Sequence, residues 1–546
     1  MRFELYKNHT KSNRLKNGFV FRACFTVMAM LLPLTAPATQ IVNGLDPITG
    51  PHCDLPGAPD SLFRQATDLL GEQNSHSELW SDTGQLQRLY RELDRLRIDG
   101  LQPQNYYLKE IGQLEARLNE GDTIAECEAA LVSYSFIRSL GELKYGRVNP
   151  AELGLFWQHR TAAPEPRELA SLAADSLASN DGIRGAYQKA RPALDLYRQL
   201  RHAHREARRL YPVSWPEVEP GPMLRPGQSS TRIPGLVSRL AAQGYVQDDV
   251  NATDPHLYNT DIEQGVRAFQ RDHGLRSDGL VGSATTEALN APPAAWLAKI
   301  RANLERLRWL NQELDNEALL VDIAGAWVEY RNDGEVIWSG KAQVGRPERK
   351  TPELSSSITH VTLNPTWTIP PTVFYQDTLP AIQQDPDYLG SHRIRVLDRE
   401  GTELDPEIVD WSRPGGLILR QDAGEGNALG RVAIRFPNPF SVYLHDTPSV
   451  RLFDTPNRFY SSGCVRVENA MDLTRALFQR ADNKRKSEFD SVLQSGRTRN
   501  LSLPAPVPVV MAYWTARGDA EGRIRFREDM YAEDILLIDL LEDAER

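Results

Sequence analysis

Six prolines fall between Tyr211 and Pro234, at positions 212, 216, 220, 222, 226 and 234. Each lacks a backbone N–H and fixes φ, so regular helix is excluded there and interior strand is disfavoured. The hydrophobic period differs on the two sides of this break. From Ser61 to Leu210 apolar residues recur at three- and four-residue spacing, as at Leu86, Leu89, Leu93 and Leu96, with breaks at Asp99-Gly100, Glu120-Gly121 and Asn149-Pro150. That pattern predicts helices of ordinary length. From Leu319, "LLVDIAGAWVEYRNDGEVIWSGKAQVG" alternates apolar and polar residues around the turn Asn332-Asp333-Gly334, and "ITHVTLNPTWTIP" and "SVYLHD" continue the β character. The chain has 546 residues, and one hydrophobic core rarely extends beyond ~250–300, so a multidomain α+β protein is expected.

The expected order is a helical domain over 60–210, a Pro-rich linker over 211–234, a small three-helix bundle over 235–292 and a β-rich domain over 296–515. A C-terminal extension over 516–546 packs on the helical domain. In the bundle, Leu236, Val237 and Leu240 precede a stop at Gly244, Ile262, Val266 and Phe269 share one helical face, and Asp278-Gly279 turns the chain toward Ala288 and Leu289. Between Tyr375 and Pro414 the β pattern weakens into an acidic, loop-rich stretch, read as a mobile cap insertion without enough apolar residues for a core of its own. His202 and His204 lie two apart on an Arg-rich helix, which is not metal-ligand spacing, and are read as solvated.

The amino terminus carries Arg2, Lys7, Lys11, Arg14, Lys16 and Arg22, then an apolar run from Ala23 to Leu34 and the small residues of Ala36-Pro37-Ala38. At 12 residues the run is too short for the ~20 of a spanning helix. Residues 1–38 read as an export signal, cleaved or retained as a membrane tether. Without them 57 basic residues face 72 acidic ones, −15 in place of −10. Such a chain, with no long basic tract, is not expected to bind nucleic acid. Export also constrains the cysteines. Cys24 lies in the signal, Cys53 and Cys127 stand in the first third and are able to pair, and Cys464 is the candidate reactive thiol.

Cys464 follows Ser461-Ser462-Gly463, precedes Val465-Arg466, and stands 19 positions after His445, near the end of an apolar strand. A thiol of pKa ~8.5 is mostly protonated at neutral pH and needs a base to become a nucleophile. His445 supplies one, and a glycine just before the cysteine allows the sharp turn that aims amide N–H groups at a substrate carbonyl. Spacing alone leaves the alternative open that both are structural. No metal-ligand cluster or Gly-rich phosphate loop accompanies them, and no cofactor is expected.

Two resemblances add to this. "DIEQGVRAFQRDHGLRSDGLVGSATTEALN", Asp261 to Asn290, resembles the three-helix peptidoglycan-binding module. His445 with Ser462-Gly463-Cys464 and Arg466 resembles the signature of the L,D-transpeptidase (YkuD-type) family. "VGRPERKTPELSSSITHVTLNPTWTIPPTV" resembles the segment that lines the catalytic groove of such enzymes, which places Trp367 beside the site. Ser462 stands where many members have His, and the order of domains resembles the large multidomain Gram-negative subgroup, whose helical region is a scaffold domain. The resemblance implies a periplasmic transferase of cell wall biogenesis and cell shape, sensitive to carbapenems, that joins two diaminopimelate residues of peptidoglycan stem peptides through a cysteine thioester. In this reading Cys464 is the nucleophile and His445 the base. The N–H groups of Gly463 and Cys464 hold the oxyanion, and Tyr443, Ser462, Arg466 and Trp367 contact substrate or orient the loop, Arg466 alternatively bracing it through a buried ion pair. Other wall-synthesis proteins are expected partners of the helical domain. The alternatives are an L,D-carboxypeptidase, with water as acceptor, and a non-catalytic wall-binding scaffold.

Overall fold

A computed structural model describes residues 53–55, 61–72, 75–157, 164–179, 182–211, 214–310 and 317–543. The expected export signal, 1–38, lies outside the described residues. Among the described residues no helix is long and apolar enough to cross a membrane.

The first domain contains α1 (Leu62–Gly71), α2 (Thr83–Arg95), α3 (Leu108–Asn119), α4 (Glu126–Tyr145), a two-residue strand β1 (Phe156–Trp157), α5 (Pro166–Ala178), α6 (Gly182–Ala190) and α7 (Asp195–Leu210). Asp82 caps α2 by accepting the Gly84 N–H at 2.8 Å, and Leu86, Leu89 and Leu93 are buried on one face. α4 is buried nearly all round and forms the centre of the domain, with Phe136, Ile137, Leu140 and Leu143 in its core. A Cys53–Cys127 disulfide ties the preceding segment to α4. One expectation is corrected on α7. His204 is fully buried, its Nδ1 donates to the Ile98 carbonyl at 2.9 Å, and desolvation lowers its pKa to about 4.

The small bundle is α8 (Ile233–Ala241), α9 (Thr260–Asp272) and α10 (Ser283–Asn290), closed on Leu236, Leu240, Ile262, Val266 and Phe269. The proline-rich stretch before it is not a free linker, because Val218 and Leu224 are buried in the bundle's core. Proline forbids helix but not burial, and side chains replace the missing backbone partners. Asn290 bonds both the N–H and the carbonyl of Val218, at 2.9 and 2.8 Å, and Arg232 donates to the carbonyls of Glu219 and Pro222, each at 2.6 Å.

α11 (Pro293–Trp309) follows, so the β domain begins at Glu317 rather than at 296. It opens with β2 (Glu317–Asp322), β3 (Trp327–Asn332), β4 (Glu335–Gly345) and β5 (Leu354–Leu363). An insertion then carries β6 (Trp367–Thr368), β7 (Ile394–Leu397), β8 (Glu403–Leu404) and β9 (Ile418–Gln421). The main sheet resumes with β10 (Val432–Arg435), β11 (Leu444–His445), β12 (Phe459–Ser461) and β13 (Val465–Val467). After α12 (Ala470–Leu477) and α13 (Asn483–Ser495) it is completed by β14 (Arg499–Ala512). The strand order is β5-β10-β11-β13-β4-β3-β2-β14, and β14 pairs with β5 as well, so the sheet closes on itself. Leu319, Val321, Val328, Leu444, Val465 and Val509 share the enclosed core.

The other face of β2 and β14 is also covered. Ala318, Leu320, Val510 and Ala512 pack on Leu196 and Leu200 of α7 and Ile300 and Leu304 of α11. The alternation expected from Leu319 therefore fails in "LLVDI", since a strand buried on both faces reads as continuously apolar. At roughly 2 kcal/mol for each fully buried leucine, this contact secures the helical domain against the sheet. The C-terminal extension adds a hairpin, β15 (Ala516–Gly518) and β16 (Ile524–Phe526), and α14 (Glu533–Asp543). Leu537 and Leu541 pack on Val148, Ala302 and Trp309.

The insertion differs from the loop-rich cap expected over 375–414. It spans Trp367 to Gln421, forms a four-stranded sheet in the order β6-β9-β7-β8, and has its own core of Ile369, Phe374, Ile382, Leu389, Ile394, Val396 and Leu419. Its strands are two to four residues long, too short for alternation to show, and its core joins residues about 50 positions apart.

Candidate active site

β11 and β13 run parallel in the register Leu444↔Val465 and His445↔Arg466, and the Val465 N–H donates to the Tyr443 carbonyl at 3.1 Å. Leu444 and Val465 point into the enclosed core. Because side chains alternate along a strand, Tyr443 and His445 share the opposite face with Cys464 and Arg466. That face forms one wall of a 620 Å³ cavity, which Trp367, Ser462 and Gly463 also line. The structure therefore brings all seven residues singled out in the sequence around one cavity.

The turn before the cysteine is built by its own residues. Gly463 has φ +115°, a region closed to residues with a Cβ. Ser461 Oγ donates to the Cys464 carbonyl at 2.5 Å and accepts the Gly463 N–H at 3.1 Å. Thr351 Oγ1 donates to the Gly463 carbonyl at 2.8 Å, and Tyr531 braces the same segment by donating to the Gly345 carbonyl at 2.6 Å. One expected oxyanion donor is thereby corrected, because the Gly463 N–H is engaged by Ser461.

His445 is buried, and its Nδ1–H donates to the Asp446 carbonyl at 2.6 Å, which leaves Nε2 with a free lone pair. Desolvation, with the Arg466 and Arg435 charges, pulls its pKa down to about 3, against the opposing Asp446 carbonyl. Burial pushes the Cys464 thiol up, and the Tyr443 N–H, Arg435 and Arg466 oppose this only in part. At neutral pH the resting site therefore holds a neutral imidazole and a neutral thiol, with two cations nearby that favour the thiolate once it forms.

Arg466 donates to Gln343 Oε1 at 3.1 Å, and its buried Nε has no partner. Among the described residues it makes no ion pair, so the alternative of a carboxylate-braced loop does not hold. Ser462 Oγ accepts from Arg349 Nη1 at 2.8 Å. Three neighbours were not singled out in the sequence. The Arg435 guanidinium lies 3.8 Å from the Tyr443 ring centroid, and nothing in a four-residue strand marks it. Arg346 and Arg349 stand in the groove segment, where the basic run "RPERK" was the available signal.

Residues 316–485 match the family described as "L,D-transpeptidase catalytic domain" (YkuD), residues 72–203 match "Scaffold domain", and residues 232–289 match "Putative peptidoglycan binding domain". The chain thus carries a YkuD-type L,D-transpeptidase catalytic domain joined to a peptidoglycan-binding domain. A Haemophilus influenzae protein named "Putative L,D-transpeptidase" is 33% identical over 239 residues, 43% of this chain and 48% of its own length. The chain thus spans about half the length of that curated relative. Solved structures similar to parts of it include an L,D-transpeptidase from Xylanimonas cellulosilytica, 17% identical over 54% of this chain and 100% of that one, TM-score 0.18. Another is an L,D-transpeptidase from Mycobacterium smegmatis, 16% identical over 36% and 58%, TM-score 0.16.

Proposed function

We propose that this chain is a peptidoglycan L,D-transpeptidase that forms cross-links between two diaminopimelate residues through a thioester on Cys464. The observation that carries this reading is the shared face of β11 and β13, which sets a buried neutral histidine and a thiol on the wall of one cavity. Cys464 attacks the carbonyl at the L-centre of diaminopimelate in a tetrapeptide stem, and its proton passes to His445 Nε2. Because burial disfavours the ion pair, transfer accompanies attack, when negative charge moves from sulfur onto the carbonyl oxygen. The Cys464 N–H, which has no acceptor among the described residues, is the backbone donor to that oxygen. Collapse of the tetrahedral intermediate returns the proton to the leaving amine, frees D-alanine and leaves the thioester. The side-chain amine of a second stem then attacks, gives its proton to His445 and restores the thiol as the new amide forms.

The action is placed in the periplasm, after export by residues 1–38, with carbapenems as acylating inhibitors of Cys464 and the helical domain as the surface for other wall-synthesis proteins. The test is incubation of the purified chain with tetrapeptide muropeptides and mass analysis of the products. Cross-linked dimers support the reading. Trimmed stems alone make the chain an L,D-carboxypeptidase, and unchanged substrate refutes both.

A further inference from the structure

The cavity that holds Cys464 is lined by Arg346, Arg349, Lys350 and Arg466 but, among the described residues, by a single carboxylate, Asp377. This occurs in a chain of net charge −10, so the excess of cations is local to the cavity. Lys350 is committed elsewhere, its Nζ donating to the Tyr531 carbonyl at 2.7 Å and lying 3.3 Å from Glu533. Arg346 and Arg349 converge on Asp377, which belongs to the inserted subdomain. Arg346 Nη2 lies 3.2 and 3.3 Å from its two oxygens, Arg349 Nη2 lies 3.1 Å from Oδ1, and Arg349 Nη1 bonds Oδ2. One guanidinium forked onto the carboxylate, with a second that shares a single nitrogen between its two oxygens, forms a carboxylate receptor. Its distance from the chemistry is short, since Arg349 Nη1 also donates to Ser462 Oγ, two residues before the thiol.

We infer that Arg346 and Arg349 bind the terminal carboxylate of the leaving D-amino acid, and that Asp377 occupies their site when substrate is absent. The inference rests on the acyl-transfer reading above. In a stem cleaved at its last peptide bond, the terminal carboxylate stands three covalent bonds from the scissile carbonyl carbon. A receptor anchored to the loop of the nucleophile is where that group has to lie for Cys464 to reach the carbonyl. Donor binding is then an exchange of one carboxylate for another on the same two arginines, so the guanidinium groups have an acidic partner both before and after it. The exchange also loosens the insertion from these arginines, because Asp377 is its ionic tie to Arg346 and Arg349 and, among the described residues, only the Gln376 side-chain carbonyl, which accepts from Arg349 Nη2 at 2.6 Å and Nε at 3.2 Å, then holds it there. Selection of a chain-terminal residue follows, since an internal peptide bond offers no carboxylate at that place.

Two donor stems that differ only in a C-terminal carboxylate or carboxamide test this on the full chain. The wild type is expected to prefer the carboxylate stem about 10- to 100-fold, chiefly in KM. Arg346→Gln keeps the backbone N–H that bonds Ser461, and should shrink that preference at least fivefold. Asp377→Asn should lower KM for the carboxylate stem and leave the carboxamide stem unimproved. Equal use of the two stems by the wild type, or an unchanged preference in Arg346→Gln, overturns the inference. Calorimetric binding of both stems to the Cys464→Ala chain reads the same preference without turnover. Loss of turnover with both stems therefore counts against acyl transfer, while the binding preference still decides the role of the arginines.

Discussion

Replacing Arg466 by Met removes a cation that acts on both partners of the proposed dyad. Desolvation lowers the pKa of His445 and the Arg466 charge lowers it further, whereas desolvation raises that of Cys464 and the same charge opposes it. Bringing the histidine from 6.5 to about 3 corresponds to about 5 kcal/mol against the imidazolium. A unit charge ~5 Å away at an effective dielectric of ~20 contributes roughly 3 kcal/mol, or about two pKa units, and screening by water and salt in the open cavity brings the effect expected of Arg466 alone down to about one. Both values should rise in the variant, the thiol because a stabilising cation is lost and the imidazole because a repelling one is lost. The assay is the rate of Cys464 alkylation by iodoacetamide against pH, read by intact mass, with circular dichroism as the check on folding. In the wild type the rate should climb about tenfold per pH unit through neutrality, as for a neutral thiol. The Arg466→Met curve should lie about one unit higher in pH, so alkylation at pH 7 falls about tenfold. A wild-type plateau between about pH 5 and 8 would mean a preformed thiolate–imidazolium pair and refute the reasoning, as would a shift of the variant to lower pH.

Three other outcomes are expected. A carbapenem should add to Cys464 and leave Cys53 and Cys127 unmodified, since these two are joined as a disulfide; peptide mapping of the adduct checks this. His204, His273 and His445 are held at about 4, 3 and 3, so the stability each contributes is complete above its unfolded value of about 6.5 and is lost as pH falls toward the folded value. Near pH 4 the loss is on the order of 3 kcal/mol per histidine, so unfolding followed by circular dichroism should begin between about pH 5 and 4, and full stability at pH 4 would contradict the assignments. Thr368 and Arg420 pair across β6 and β9, so a short Gly-Ser link can replace residues 369–419. If the insertion shields the thioester from water, that deletion should shift products from cross-linked dimers to trimmed stems, and an unchanged ratio would show that it does not.

The site was more legible in the sequence than the scaffold around it. Tyr443, His445, Cys464 and Arg466 sit two apart on neighbouring strands, so period-2 alternation alone puts them on one face once the strands pair, and Gly463 was marked by its place before the thiol. What stayed hidden depends on contacts distant in sequence. Arg435 lies over the Tyr443 ring and its charge reaches His445 and Cys464 only once the strands pair, and Arg346 and Arg349 acquire meaning only when Asp377 of the insertion is laid against them. The Gly463 N–H was expected to be free because local sequence does not show that Ser461 Oγ turns back to accept it. In the scaffold, the proline pattern suggests a separator between domains, whereas Val218 and Leu224 extend the bundle's core. The insertion's core joins Ile369 to Leu419, a pairing that no local pattern announces.

The most direct test of the central claim is the mass of the intact chain during reaction with a tetrapeptide stem. The account predicts a transient species heavier by the stem less D-alanine, mapped by peptide analysis to Cys464 and consumed as diaminopimelate-to-diaminopimelate dimers appear. It also predicts neither adduct nor dimer with Cys464→Ala in a chain of unchanged circular dichroism. Dimers formed by the Cys464→Ala chain, or an acyl adduct on any other residue, would contradict it.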